Sequence, residues 1–207
     1  GAELNAQYIA AAMDFEAYHH EEEDIQEDVG VGSGYPQIFS DLSARKSWFM
    51  FDDEIVALGS AICTTNEYPV NTYIDNRALF LSKEPGAAAI TADGRLYQTA
   101  QLHTELSLQP TWVHLGCFGG YYLPDGGDAV LHVTEGERQF FELWLAHGTK
   151  PQNASYAYVM LPGRTAEETA AYSEAPDVEF LCCTEALHAV REKTLGITAM
   201  VFWRAGS

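Results

Sequence analysis

Short apolar segments separated by turn residues run along most of the chain, and this pattern constrains its fold more than any other feature. In residues 155–163, Tyr156 and Tyr158 alternate with Ala157 and Val159, which is the two-residue period of a β-strand. Similar segments occupy residues 47–51, 55–65, 70–75, 78–82, 87–92, 95–104, 111–123, 129–134 and 139–148. Strands of usual length at this spacing predict an all-β fold, an antiparallel β-sandwich of about ten to fourteen strands.

Turn and cap residues refine this prediction. The pair Asp93-Gly94 precedes residues 95–104 and is typical of a tight hairpin turn. Thr165, with acidic residues soon after it, predicts a short helix over residues 166–171. Residues 184–190 suit a helix and a strand equally well, so the sequence predicts one or two short helices. There is no repeat of fixed period and no low-complexity linker, which favours one domain.

The charge of the chain argues against two classes of function. Its 207 residues include 30 acidic and 11 basic ones, which give a formal net charge of −19. Nucleic-acid binding requires Lys and Arg arranged on one face, so we expect no nucleic-acid partner. No window of about 18 consecutive apolar residues occurs, so we expect no membrane-spanning segment.

Acidic residues concentrate near the amino terminus. Residues 1–44 contain ten acidic residues and no Lys or Arg. The run His19-His20-Glu21-Glu22-Glu23-Asp24 has side chains that can bind metals, but a continuous acidic run more often forms a solvated loop. We interpret residues 1–43 as an acidic amino-terminal segment. The order and the role of residues 14–28 stay open.

Sequence motifs for catalysis are missing. The chain has no GxSxG elbow, no P-loop, no GxGxxG that opens a helix and no HExxH motif. Residues 30–34 are rich in glycine but contain no Lys, so we interpret them as a turn rather than a phosphate-binding loop. The four cysteines lack the spacing of a metal site or a disulfide framework. From the residues alone we expect no catalytic residue, no metal site and no cofactor.

Several segments, taken in chain order, match one known family. The most specific are residues 44–62, with the sequence ARKSWFMFDDEIVALGSAI, and a group made of residues 145–148, Pro151 and residues 153–163. Further collinear matches lie at residues 71–77, 112–114, 120–124, 195–197 and 202–206. Together these segments resemble polysaccharide lyase family 8, which holds hyaluronate, chondroitin and xanthan lyases. The resemblance fades before residue 44.

The resemblance implies a fold and a limited function. Members of this family have an amino-terminal α/α toroid, a central super-sandwich with a galactose-mutarotase-like fold and a smaller C-terminal β-domain. They cleave uronate-containing polysaccharides by β-elimination, and their proton-transfer residues lie on the toroid. Residues 44–207 resemble the central sandwich alone. The resemblance therefore implies a non-catalytic domain that forms part of the substrate cleft, and we expect the isolated chain to be inactive.

The resemblance also implies partners and a location. The partners would be an acidic polysaccharide of the hyaluronan, chondroitin or xanthan type, together with the toroid and C-terminal domain of the parent enzyme. We expect an extracellular protein, and because the chain begins at Gly1 without a signal peptide we expect a processed or excised piece. The alternative is a stand-alone β-sandwich that binds carbohydrate or mediates contacts without lyase activity. A small active lyase of another sandwich family fits less well, because such enzymes present a basic cleft.

Few residues can contact an anionic sugar, because the chain has only 11 basic residues. Such a ligand needs cations or donors for its carboxylates and aromatic faces for its rings. The carbohydrate-binding candidates are Asn71, Thr72, Asn76, Arg77, Arg95, Trp112, His114 and Tyr121. Packing is the other explanation for the same residues: Arg77 could pair with Asp75 or Glu67, and the two aromatic residues could belong to the core.

Overall fold

Sixteen antiparallel strands in three sheets make up most of the part of the chain that the structure describes. The computed structural model describes residues 1–17, 40–81 and 86–204, and within these ranges there is one α-helix, α1 (Ala166–Glu174). The all-β sandwich predicted from the sequence is confirmed. The number of strands exceeds the predicted range, because four strands are only three residues long and leave little periodicity in the sequence.

The largest sheet has nine strands. In spatial order they are β1 (Ala2–Leu4), β2 (Tyr8–Glu16), β3 (Ser43–Met50), β4 (Ile55–Cys63), β13 (Ala154–Pro162), β10 (Gly119–Tyr122), β9 (Trp112–Leu115), β6 (Ile90–Ala92) and β7 (Arg95–Tyr97). The described part of the acidic amino-terminal segment thus joins the sheet, since β2 pairs with β3 along its length. The acidic run at residues 19–24 and the glycine-rich residues 30–34 lie outside the described residues.

Two smaller sheets flank the nine-stranded sheet. The four-stranded sheet has the order β5 (Pro69–Ala78), β12 (Phe140–Thr149), β11 (Ala129–Val133) and β8 (Leu106–Leu108). The three-stranded sheet has the order β14 (Val178–Cys183), β15 (Leu187–Glu192) and β16 (Ile197–Phe202). No helix in the described ranges is long and apolar enough to cross a membrane.

Two hydrophobic cores place the nine-stranded sheet in the middle of three layers. The first core lies between it and the four-stranded sheet and contains Tyr121, Leu131 and Phe141. The second core lies on its other face, where Val159 packs with residues of α1 and of the three-stranded sheet such as Val190. Strands buried on both faces carry apolar residues at successive positions, as β4 does.

Alternation along β3 and β13 distributes residues between the two cores as the sequence predicts. Phe49 belongs to the second core, whereas its neighbour Trp48 packs against the first. On β13, Tyr156 and Tyr158 lie in the first core, and the next residue, Val159, lies in the second. The two-residue period along these strands therefore predicts which of the two cores each side chain packs into.

Close approach explains the glycine in the middle of β4. Gly59 lies beneath the ring of Tyr156, and a Cβ atom at this glycine would be 2.0 Å from a ring carbon. Any side chain here would force the ring off the strand. The glycine therefore lets a large buried aromatic residue lie flat against the neighbouring backbone.

Local turn and cap chemistry forms as predicted. Asp93 and Gly94 both have positive φ and join β6 to β7 as a tight hairpin. Thr165 caps α1: its side chain accepts a hydrogen bond from the Glu168 amide at 3.1 Å, and the Glu168 carboxylate accepts one from the Thr165 amide at 2.8 Å. This is a capping box, which satisfies two amides at the helix start.

Two predicted strands are wrong in part, and one segment left open is resolved. Of residues 95–104, expected to form one strand, Arg95–Tyr97 form β7 and Thr99–Leu102 form a 3₁₀ turn. Residues 78–82 were expected to form a strand, but β5 ends at Ala78 and Leu79–Leu81 form a 3₁₀ turn. The turn places Leu79 in the first core while Phe80 packs edge-on against Phe140, with ring centroids 5.6 Å apart. Of residues 184–190, which suited both a helix and a strand, the second half forms β15 because it pairs with strands on both sides.

Candidate functional site

A polar cluster joins the nine-stranded and four-stranded sheets. Arg77 on β5 donates from Nε to Asp75 Oδ2 at 2.9 Å, and the hydroxyl of Tyr121 on β10 donates to the same oxygen. The guanidinium of Arg77 lies over the Phe118 ring, 4.4 Å from its centroid. Arg77 thus takes the ion-pair partner that sequence reasoning offered as its structural alternative.

Burial fixes the protonation state of this cluster. Burial and the charge of Asp75 raise the pKa of Tyr121 far above neutrality, so its hydroxyl stays a hydrogen-bond donor. The Asp75 side chain is almost enclosed, whereas that of Arg77 is 36% exposed. Of this ion pair, Arg77 is therefore the partner with the more exposed side chain.

The other candidates on β5 fall on both of its faces. Thr72 Oγ1 lies 2.8 Å from Nε2 of His147, and burial together with the charge of Lys46 lowers the pKa of that histidine. Asn76 donates from Nδ2 to Glu142 at 3.1 Å on the outer face of the four-stranded sheet. Asn71 is exposed on the same strand and lines a cavity.

The remaining candidates lie elsewhere. Trp112 and His114 point from β9 toward α1, the opposite side of the nine-stranded sheet from Tyr121. His114 Nε2 is 3.0 Å from the Arg164 carbonyl, and burial lowers the pKa of the imidazole. Arg95 is exposed on β7, with its guanidinium 4.8 Å from the centre of the Tyr97 ring. The structure therefore brings together Arg77 and Tyr121, but not the whole predicted set, and sugar contact at these residues stays a prediction.

A cavity of about 530 Å³ opens where the β4–β5 connection meets β5. Asn71 is the predicted candidate that lines it, beside Tyr68 and Tyr73, which sequence reasoning missed. The signal for Tyr73 was present, since it lies two residues after Asn71 in an alternating strand and so shares its face. Two other cavities, of about 260 and 170 Å³, are smaller.

Histidines in the described ranges are engaged by protein groups. Besides the hydrogen bonds of His114 and His147, His103 bonds to Gln139 at 3.1 Å, His132 bonds to Glu142 at 2.7 Å, and His188 bonds to two serines. Among the described residues, no group of three or more His, Cys, Asp or Glu side chains is placed to hold a metal ion. The four cysteines are free thiols of intermediate exposure.

Comparison with known families accounts for this architecture. The family model described as "Polysaccharide lyase family 8, super-sandwich domain" matches residues 1–173. The chain belongs to polysaccharide lyase family 8. A second model, "Polysaccharide lyase family 8, C-terminal beta-sandwich domain", matches residues 183–207. The resemblance read from the sequence is confirmed, while the division between residues 1–43 and 44–207 stays a prediction.

Individual family 8 proteins are similar along most of the chain. A xanthan lyase of Bacillus sp. (strain GL1) is 39% identical over 188 residues, a match that covers 78% of this chain and 20% of that protein. A hyaluronate lyase of Thermasporomyces composti is 30% identical over 200 residues, covering 87% of this chain and 25% of that protein.

Solved family 8 structures share the fold. The structure of a Paenibacillus xanthan lyase superposes with a TM-score of 0.79 at 29% identity, covering 98% of this chain and 20% of that one. The chain thus spans a fifth to a quarter of the length of these relatives.

Proposed function

We propose that this chain is the central, non-catalytic β-region of a lyase that cleaves uronate-containing polysaccharides by β-elimination, and that it forms part of the wall of the substrate cleft. The observation that carries the proposal is the family 8 super-sandwich match over residues 1–173. The proposed partners are the α/α toroid and the rest of the C-terminal β-domain of the parent enzyme, since residues 183–207 match part of that domain. The proposed location is extracellular.

Proton chemistry supports a non-catalytic role. A general base needs an available acceptor within hydrogen-bond reach of the proton that it removes. The histidines of the described ranges are hydrogen-bonded within the protein, and the hydroxyl of Tyr121 is buried against Asp75. Groups engaged in this way are less available to accept a proton from a substrate.

Xanthan is the first substrate to test, because the Bacillus xanthan lyase is 39% identical to the chain and the hyaluronate lyase 30% identical. We expect the purified 207-residue chain to produce no ultraviolet absorbance of unsaturated uronate with xanthan, hyaluronan or chondroitin. A complete family 8 lyase serves as the positive control. Turnover by the isolated chain would contradict the non-catalytic assignment.

The cleft role is tested at Arg77 in the complete lyase, with Asp75→Asn as the matched variant. Both Arg77→Ala and Asp75→Asn remove the same ion pair, so both are expected to lower the Tm. Only loss of the guanidinium should also raise KM, by about tenfold, if it contacts a sugar carboxylate. An equal KM for the two variants would make Arg77 a purely structural residue.

A further inference from the structure

The cavity beside β5 has the size of a ligand site. At about 530 Å³ it falls within the range of about 300–1,000 Å³ that is usual for small-molecule sites, whereas the cavities of about 260 and 170 Å³ fall below that range. We call it the tyrosine groove, after Tyr68 and Tyr73 in its wall; Asn71, Thr64, Leu42 and Val70 are among its other lining residues. Apolar walls with a few polar groups are typical of such sites.

Two tyrosine rings are available in this groove. Tyr68 is 58% exposed and Tyr73 is 50% exposed. Tyr73 packs against the nearly buried Trp144, with ring centroids 5.3 Å apart, so its position is fixed before any ligand arrives. Aromatic faces of this kind suit the C–H face of a pyranose ring. Tyr68 lies just before β5 and Tyr73 five residues further on, so the two can be at most about 18 Å apart. Two separate rings favour an oligosaccharide over a single sugar.

The rim of the groove is held by a carboxylate. Asp41 accepts hydrogen bonds from the Thr65 amide at 2.9 Å and from the hydroxyls of Thr64 and Thr65. These bonds, led by that of Thr64, hold the pKa of Asp41 well below its usual range, so the group stays ionised. Asn66 in turn donates from its amide to Thr64 Oγ1 at 3.1 Å. The β4–β5 connection is therefore braced around a fixed negative charge.

Charge selects the class of ligand. None of the described side chains that line the groove carries a charge at neutral pH. Asp41, between the lining residues Ser40 and Leu42, is ionised, and Glu67 in the β4–β5 connection is paired with Lys150 at 2.5 Å. A uronate would be repelled by the negative charge of Asp41, whereas neutral hydroxyls can bond to the exposed Asn71 amide.

We propose that the tyrosine groove binds a neutral oligosaccharide, with pyranose rings stacked on Tyr68 and Tyr73 and hydroxyls bonded to Asn71. The groove is separate from the Arg77 cluster, so it supplies a second contact with a polysaccharide, at a neutral part of the polymer. It does not depend on the lyase assignment, because binding is measured without turnover.

The test is calorimetric titration of the 207-residue chain with neutral tetrasaccharides of glucose and of mannose, and with a uronate-containing hyaluronan tetrasaccharide. We expect saturable binding of at least one neutral probe, about tenfold tighter than that of the charged probe. Absence of binding by both neutral probes, or equal affinity for the charged one, would overturn the proposal.

Variants locate the site. Tyr73→Ala should weaken binding about tenfold, while Tyr73→Phe should keep most of it because the ring face remains. Phe202→Ala is the matched control, since Phe202 is an exposed aromatic residue on β16, 64% exposed, and its loss should leave the affinity unchanged. Circular dichroism confirms that each variant is folded. Unchanged affinity in both Tyr73→Ala and Tyr68→Ala would place the binding outside the groove.

Discussion

The two faces of the nine-stranded sheet are joined to their neighbours by different chemistry. Toward the four-stranded sheet the joint is mostly apolar, with Phe141 and Leu143 fully buried. Toward α1 and the three-stranded sheet, the joint encloses ionisable groups: His188 is fully buried and Glu54 is 3% exposed. Around Phe141 the first joint therefore depends on packing, whereas around His188 and Glu54 the second joint depends on packing and on pH.

His188 connects β15 to β3 and β4. Ser47 Oγ lies 2.8 Å from its Nδ1, and Ser60 Oγ lies 2.8 Å from its Nε2. Because Ser60 donates its own proton to the Thr184 carbonyl at 3.0 Å, it accepts from Nε2, and Ser47 then donates to Nδ1. Burial, assisted by the charge of Arg45, lowers the pKa of His188 to about 4. The neutral imidazole is the form that fits.

Glu54 has the opposite preference. Tyr172 of α1 donates to its Oε2 at 2.5 Å, while Oε1 is buried without a partner. Burial raises the pKa of Glu54 to about 7, with a contribution from the charge of Glu192. Glu192 itself is satisfied by the Thr194 and Leu195 amides. Glu54 is therefore stable in place as a neutral acid.

The largest expected effect comes from the apolar joint. Phe141→Ala should lower the free energy of unfolding by about 4 kcal/mol, because it removes a fully buried ring from the first core. The loss should be the same at about pH 5 and about pH 8, as no group that titrates in that interval is removed. Urea denaturation at both pH values measures it. A loss that depends strongly on pH would erase the contrast between the joints.

Glu54→Gln should stabilise the protein in alkali. A raised carboxyl pKa gives stability that is complete below its ordinary value of 4.5 and is lost as the pH rises through about 7. The amide keeps the shape without titrating, so at about pH 9 the variant should be more stable than the parent by about 3 kcal/mol. At about pH 4 the two should be equal.

The exposed carboxylate of Glu3 is the control for this comparison, and Glu3→Gln should leave the pH profile of the Tm unchanged. A Glu54→Gln variant that is less stable than the parent throughout the pH range would show that the carboxylate form belongs in the joint.

His188→Gln should flatten the acid side of the profile. The lowered pKa of this histidine means that its contribution is complete above its ordinary value of 6.5 and is lost as the pH falls through about 4. Allowing for solvent screening of Arg45, the parent should lose about 2 kcal/mol over this interval that the variant does not lose. Chemical denaturation from about pH 7 to about pH 4 measures the difference. His103→Gln is the control: this side chain is 28% exposed and lies outside the second core, so the variant should retain the parental slope.

Thr165→Ala should have the smallest effect, about 1 kcal/mol, because it removes the cap of α1 at the edge of the second joint. Its cost should not change between about pH 5 and about pH 8, in contrast to that of Glu54→Gln. Thermal unfolding of the Thr165→Ala and Glu54→Gln variants at these two pH values measures both costs. A loss above about 3 kcal/mol would mean that the whole joint opens when the helix start frays.

Local signals predicted much of the fold. The alternation of β3 and β13, the Asp93-Gly94 turn and the Thr165 cap each depend on neighbours within a few residues, so one sequence is enough to reveal them. The strand at β15 was ambiguous because its partners are set by sheet pairing. The strand predicted at residues 78–82 was wrong because the turn there depends on the burial of Leu79 in the first core and on the end of β5.

The site was less accessible to sequence reasoning. Asn71 and Arg77 were found through the segment that resembles the family, but their surroundings come from distant parts of the chain. Tyr121 reaches Asp75 across 46 residues, and His188 reaches its serines across 141 and 128 residues. Such pairings leave no local period. Tyr73 was missed because an aromatic residue in a strand is more often a core residue than an exposed one.

Gly59 also determines the register in which β4 pairs with β13. In a strand with one wet face, a slip by one residue is opposed because it moves apolar side chains into water. Both faces of β4 are buried, so polarity alone cannot distinguish the two alignments. Volume distinguishes them instead: a slip would bring Leu58 under the ring of Tyr156, where even a methyl group does not fit. The alignment of β4 with β13 is therefore enforced by steric exclusion at a single atom position.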